Sequence, residues 1–280
     1  MRTAPDIDPG SLLPPFDLSL PVTLRLAGER VLFKSHSLTR ENYSTQGFLL
    51  FSTADNPAIL RAVQMSGGNV LVCEAPSPGL LRYCAERGLS LATDADADRA
   101  THLIEAALLT VVKPFPFLWS AVSELAWCCH PLLASDEDHD VSFSDPAIPF
   151  SIFVSAPIRG DRSSSLRVAE SLVHETMHLQ LTLFEALSPL IDKTCDALMY
   201  SPWKREERPV HGIVHGVYVF SVLHWMWRQV ADTSKDSIDQ NFALRRIIEI
   251  DEEISTVPSL ESSPALTEKG RHFLHQLFAV

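Results

Sequence analysis

Apolar residues recur at helical spacing along a long run from Ser165 to Leu187, where Leu172, Val173, Met177, Leu179, Leu181, Leu183 and Phe184 surround a few polar positions. Such a setting predicts a buried helix rather than a solvated one. A second strong helical pattern opens after Pro209 and covers roughly Val210 to Val230, and two more follow over Ile238 to Ile254 and Thr267 to Phe278. Upstream, Asp94 to Val112 has acidic residues in its first turns, which suit the helix dipole, and Leu103, Ile104, Ala107 and Leu108 form its apolar face. Ser77 to Arg87 reads as a helix with Pro78 near its start and Gly88 just past its end. Phe117 to Cys129 is apolar and aromatic with helical spacing, ending at His130-Pro131, and Pro57 to Met65 reads as a short helix stopped by Gly67-Gly68. Strand patterns are fewer. Asn69 to Cys73 is a short apolar run, and Val141 to Ser144 and Phe150 to Ser155 alternate around Asp145-Pro146 as a hairpin would. Val22 to Lys34 fits either a hairpin or a helix, and residues 1–20 form a Pro-rich arm.

Composition narrows the class. The chain has 280 residues, 46% hydrophobic and 21% charged, which is ordinary for a globular protein with a sizeable core. Its formal net charge of −12, without a Lys/Arg cluster, argues against a general nucleic-acid binder. Five cysteines, an odd number without framework spacing, point to reduced thiols and a cytoplasmic protein. The first twenty residues lack an apolar signal core, and no apolar stretch reaches the roughly 18 residues of a membrane span. The acidic loop around Asp136 to Asp140 has the residue types for a hard cation, but a solvated face accounts for it more simply.

The candidate chemistry lies in Val173-His174-Glu175-Thr176-Met177-His178. Residues four apart share a helix face, so His174 and His178 can turn their imidazoles toward one metal ion. Glu175 sits beside the first of them, where it can handle the proton of a metal-bound water or orient a ligand. A pair of histidines needs a further protein ligand. Leu179 to Leu187 lacks the Gly and third His that extend this motif in one group of zinc proteases. Glu206, Glu207, Glu249, Glu252 and Glu253 are formally available, but they stand in charged segments. His211 and His215, four apart on an otherwise apolar helix, are the better candidates. His215 is favoured as metal ligand, with His211 and Tyr218 as supporting or substrate-contacting groups. Gly212 and Gly216, again four apart, would let another helix approach closely. Three histidines suit zinc and iron(II) alike. The fold expected is α+β, mostly helical, with a small β-hairpin or sheet beside a zincin-like metal-binding helix. The expected division is a helical region 1–140 for substrate recognition and a catalytic region 141–280, or else one continuous domain.

Two segments resemble a known family. Leu172-Val-His-Glu-Thr-Met-His178 and, more specifically, the run from Tyr200-Ser-Pro-Trp through Arg208-Pro-Val-His-Gly-Ile-Val-His-Gly-Val-Tyr218 are similar to the HExxH-motif peptide-modification proteins of bacterial peptide natural-product clusters. The likeness covers about residues 145 to 230. It implies a non-haem iron(II), 2-oxoglutarate-dependent hydroxylase acting on a peptide side chain at its β-carbon, on a substrate that carries a leader segment. It also implies iron on His174, His178 and His215, Arg208 on the carboxylate of 2-oxoglutarate, and Glu175 outside the metal's own ligands. The alternative is a zinc metallopeptidase, with His174 and His178 on zinc and Glu175 as general base. No nucleic-acid or membrane partner is expected.

Overall fold

The computed structural model describes residues 7–32, 58–134, 140–257 and 259–279. The architecture is α+β and mostly helical, as the sequence pattern predicts. Two units divide the chain, one of residues 21–179 and the other of residues 1–20 and 180–280. The division falls inside the long helix that carries the His-Glu-x-x-His motif. Residue 140 lies between two strands of a single sheet.

That sheet belongs to residues 21–179. Its strands are β1 (Ile59–Gln64), β2 (Val70–Glu74), β3 (Cys128–Leu133), β4 (Ser142–Ser144) and β5 (Ser151–Ala156), in the spatial order β1-β2-β3-β5-β4. β1 and β2 are antiparallel, with Val63 opposite Leu71, and the turn between them uses Gly67 and Gly68 at φ 64° and 80°. Those glycines are therefore the corner of a hairpin, and 59–64 is a strand rather than the end of a helix. A short apolar run fits both periods, and pairing with β2 decides between them. β3 runs parallel to β2 and to β5, with Cys128 opposite Ser151 and His130 opposite Phe153. Parallel strands covered on both faces read as continuous apolar runs, which is why Cys128-Cys129 passes for the end of a helix in the sequence. The helix there in fact stops at Leu125; Trp127 then stacks on Phe150 with ring centroids 3.9 Å apart. β4 lies antiparallel on β5 at the sheet edge, Ser142 opposite Val154, which is the hairpin expected around Asp145-Pro146.

Among the described residues, four helices precede the motif helix. α1 (Ser19–Leu32) resolves the ambiguity of that segment in favour of helix. α2 (Pro78–Ala85) is capped by Ser77, whose hydroxyl accepts from the Leu80 N–H, and it packs Leu80 and Cys84 into a cluster with Leu91, Leu132, Ile148 and Phe153. α3 (Asp94–Ala107) continues as a π-turn over Leu108–Val112, and α4 (Pro116–Leu125) follows. α5 (Arg162–Leu187) is the long helix. Its cap is Asp161, whose Oδ1 accepts from both the N–H and the hydroxyl of Ser164, at 2.8 Å each. A carboxylate at that position also favours the positive end of the helix dipole.

In the other unit, the end of α5 leads to a two-stranded hairpin, β6 (Leu198–Ser201) and β7 (Glu206–Pro209), then to α6 (Val210–Thr233), α7 (Ser237–Ser255) and α8 (Glu268–Leu277). Trp227 of α6 packs on Phe242 of α7, and His224 Nε2 meets Asp251 at 3.1 Å. Thr267 caps α8 by accepting from the Gly270 N–H. The N-terminal arm is anchored: Pro9–Leu12 forms a turn against α8, and Leu12 and Phe16 are buried.

Candidate metal centre

Among the described residues, the candidate side chains gather in one place in each unit. In the first, His174 and His178 stand one turn apart on α5. Their Nε2 atoms approach to 3.1 Å, with the ring planes at 65°. Two cis ligands about 2.1 Å from one metal would lie roughly 3 Å apart, so the pair is spaced as a chelating pair would be. Leu172, Val173 and Met177 bury their flanks, as the apolar pattern requires.

Glu175 faces the sheet edge. It is buried, and both carboxylate oxygens accept serine hydroxyls: Ser142 to Oε1 at 2.7 Å and Ser144 to Oε2 at 2.8 Å. The two serines are two residues apart on β4 and so project from one face of the strand. Oε1 also lies 3.9 Å from His174 Nε2. A carboxylate fixed at both oxygens is suited to orienting its neighbour. The sequence reading missed both serines, although the Ser-x-Ser alternation before the hairpin turn carries the signal.

The second group is Glu185, His211 and His215, whose ligand atoms all lie within 4.8 Å of one another. Glu185 comes from the last turns of α5 and the histidines from the first two turns of α6. Glu185 Oε2 is 2.8 Å from His211 Nε2 and 2.9 Å from His215 Nε2. Glu185 and His215 are buried, while the His211 side chain is half exposed. Burial alone would raise the Glu185 carboxyl, but the hydrogen bonds from His211 and His215 outweigh it and hold the group at about 2. Burial lowers the His215 imidazole, against the pull of Glu185. Sequence reasoning did not weigh Glu185. Its signal is spacing: seven residues beyond His178, two helical turns along the same apolar run.

The remaining expected residues sit elsewhere. Tyr218 is fully buried, its hydroxyl accepting from Gln180 Nε2 at 2.7 Å, and burial raises its pKa. Arg208 lies on β7, paired with Glu206 at 3.0 Å, and is largely exposed. Of the later glutamates, Glu249 is engaged by Arg246 and Arg245. Asp140 bonds Arg167 at 2.7 Å; the acidic positions 136–139 fall outside the described residues. The close approach expected of a helix is made at Gly216 by an indole, and a Cβ at Gly212 would meet nothing within 4 Å. A Cβ at Gly216 would stand 2.5 Å from Trp203, which stacks on Phe220.

In comparisons with known proteins, the chain matches no family model and no curated protein. Fold and side chains together define an α+β protein in which, among the described residues, Glu185, His211 and His215 form a group that could hold a metal ion.

Proposed function

We propose that the protein is a non-haem iron(II), 2-oxoglutarate-dependent hydroxylase that modifies a side chain, at its β-carbon, of a ribosomally made peptide in the cytoplasm. The observation that carries the reading is the arrangement around α5. His174 and His178 converge at 3.1 Å, while Glu175 is tied at both oxygens to Ser142 and Ser144. In a peptidase the glutamate must handle the proton of the attacking water. Here each of its oxygens already accepts a hydroxyl, which favours an orienting role. The resemblance of the two motif segments supplies the substrate class and the cosubstrate; Arg208 enters through that resemblance alone. His215 is not counted with the pair, because its Nε2 is committed to Glu185.

In this reading His174 and His178 hold iron(II), which, together with 2-oxoglutarate and dioxygen, supplies the oxidant for C–H hydroxylation. Glu175 fixes the orientation of the motif against β4. The buried flanks of α5 fix the helix, while the two imidazoles stay partly open, His174 with 24% of its side chain exposed. β4 is the edge strand of its sheet, and an extended peptide can align along such an edge by main-chain hydrogen bonds.

Anaerobic titration of the protein with iron(II) and 2-oxoglutarate tests the reading. A visible charge-transfer band that needs both, and that His174→Ala removes, is the expected result. Tight zinc, no such band, and cleavage of peptides abolished by Glu175→Gln would replace it with the zinc metallopeptidase reading.

A further inference from the structure

We propose that Glu185, His211 and His215 form a divalent transition-metal site of their own, separate in its ligands from the His174–His178 pair. Two imidazoles and one carboxylate are a donor set that first-row metals take up readily, and one that leaves coordination positions open. The geometry suits that set. One oxygen, Glu185 Oε2, receives both histidines, at 2.8 and 2.9 Å, so the three donors converge on one point instead of forming two unrelated ion pairs. Their origins differ, since Glu185 comes from α5 and the histidines from adjacent turns of α6. Both helices are buried along their apolar faces, so the ligands stand on rigid elements.

Burial is graded across the group. Glu185 and His215 are closed off, and His211 is half exposed. A metal held there would have its inner side fixed by protein and its outer side open to water or a small anionic ligand. α6 is otherwise apolar over these turns, with Ile213, Val214 and Val217 fully buried. Two histidines and a carboxylate in that setting have little packing value of their own. The inference does not rest on the hydroxylase reading, and it assigns His215 to this group.

The test uses the full chain carrying His174→Ala and His178→Ala, stripped with a chelator and titrated with cobalt(II) as the probe. Equilibrium dialysis gives stoichiometry, and d–d absorption reports the ligand field. The expected result is one bound cobalt(II) with visible bands. Adding Glu185→Gln or His211→Ala should then weaken binding beyond the roughly 10–100-fold that loss of an outer-shell partner costs. His211 is half exposed, so its replacement leaves the fold intact even if Glu185→Gln does not, and circular dichroism checks each variant. No cobalt uptake in the His174/His178 background, or uptake indifferent to both further substitutions, would overturn the proposal and leave the group as a carboxylate bridging two imidazoles. A missing charge-transfer band with iron(II) and 2-oxoglutarate would count against the hydroxylase reading without touching this result.

Discussion

At the scale of single residues, Glu175 ties a helix to a strand through two hydroxyl contacts. Charge-assisted bonds of this kind contribute more than neutral ones, and a buried acceptor stripped of its donors costs about 1–3 kcal/mol. Replacing Ser142 and Ser144 together by Ala should therefore lower unfolding stability by roughly 2–5 kcal/mol in urea titrations. Glu175→Gln keeps the shape of the side chain and one acceptor oxygen, so it should cost less than the double serine variant. On the hydroxylase reading, where the carboxylate orients the neighbouring histidine without ligating, it should weaken iron(II) binding by about 10–100-fold without abolishing it. Complete loss of iron binding in that variant, measured by dialysis, would make Glu175 itself a ligand. The histidine pair and Glu175 were legible in the sequence because helical spacing alone places them. Ser142, Ser144 and Glu185 were harder to find: their Ser-x-Ser alternation and two-turn spacing are visible, but neither pattern says which distant side chains they meet.

At the scale of elements, the β6–β7 hairpin and α6 are fastened by one indole. Trp203 lies over Gly216 and stacks flat on Phe220, with centroids 5.0 Å apart. Arg205, at φ 54°, turns the hairpin so that Trp203 reaches the helix. This gives the Ser-Pro-Trp and His-Gly-Val-Tyr pieces of the motif segment a shared physical reason: one supplies the ring and the other the gap. Gly216→Ala should destabilise by about 1–3 kcal/mol through overpacking, despite the higher helix propensity of Ala. Combining it with Trp203→Leu should give less than the sum of the two single effects; simple additivity in a double-mutant cycle would show that the contact is unimportant. The elements misread from sequence share a cause. Ile59–Gln64 and Cys128–Leu133 became strands because partners outside each run, Val70–Glu74 across a tight hairpin and Ser151–Ala156 farther along the chain, supply their hydrogen bonds.

At the scale of the whole molecule, a buried imidazole contributes to the response to acid. His130, on β3, is fully buried, stacks on Phe153, and has its pKa lowered by burial to about 3, although Glu74 lies 4.0 Å away. Unfolded, the same imidazole titrates near 6.5. Between those values the unfolded chain binds a proton that the folded one refuses. The stability at neutral pH therefore falls as pH drops from about 6.5 toward 3, by up to about 1.4 kcal/mol per unit for this group. His130→Gln should flatten the acid limb by that slope; an unchanged pH profile of urea midpoints would place the loss elsewhere.

The sequence by itself determined the mostly helical α+β class, the helices of the second half, the β4–β5 hairpin and the one-turn spacing of His174 and His178. Each of these depends on contacts within a few residues, where periodicity and turn chemistry act. Tertiary structure alone decided the five-stranded order, the tie from Glu175 to the sheet edge, the indole over Gly216, and the meeting of Glu185 with His211 and His215. Those depend on which distant segments share hydrogen bonds and exclude water together, and no local spacing encodes that choice.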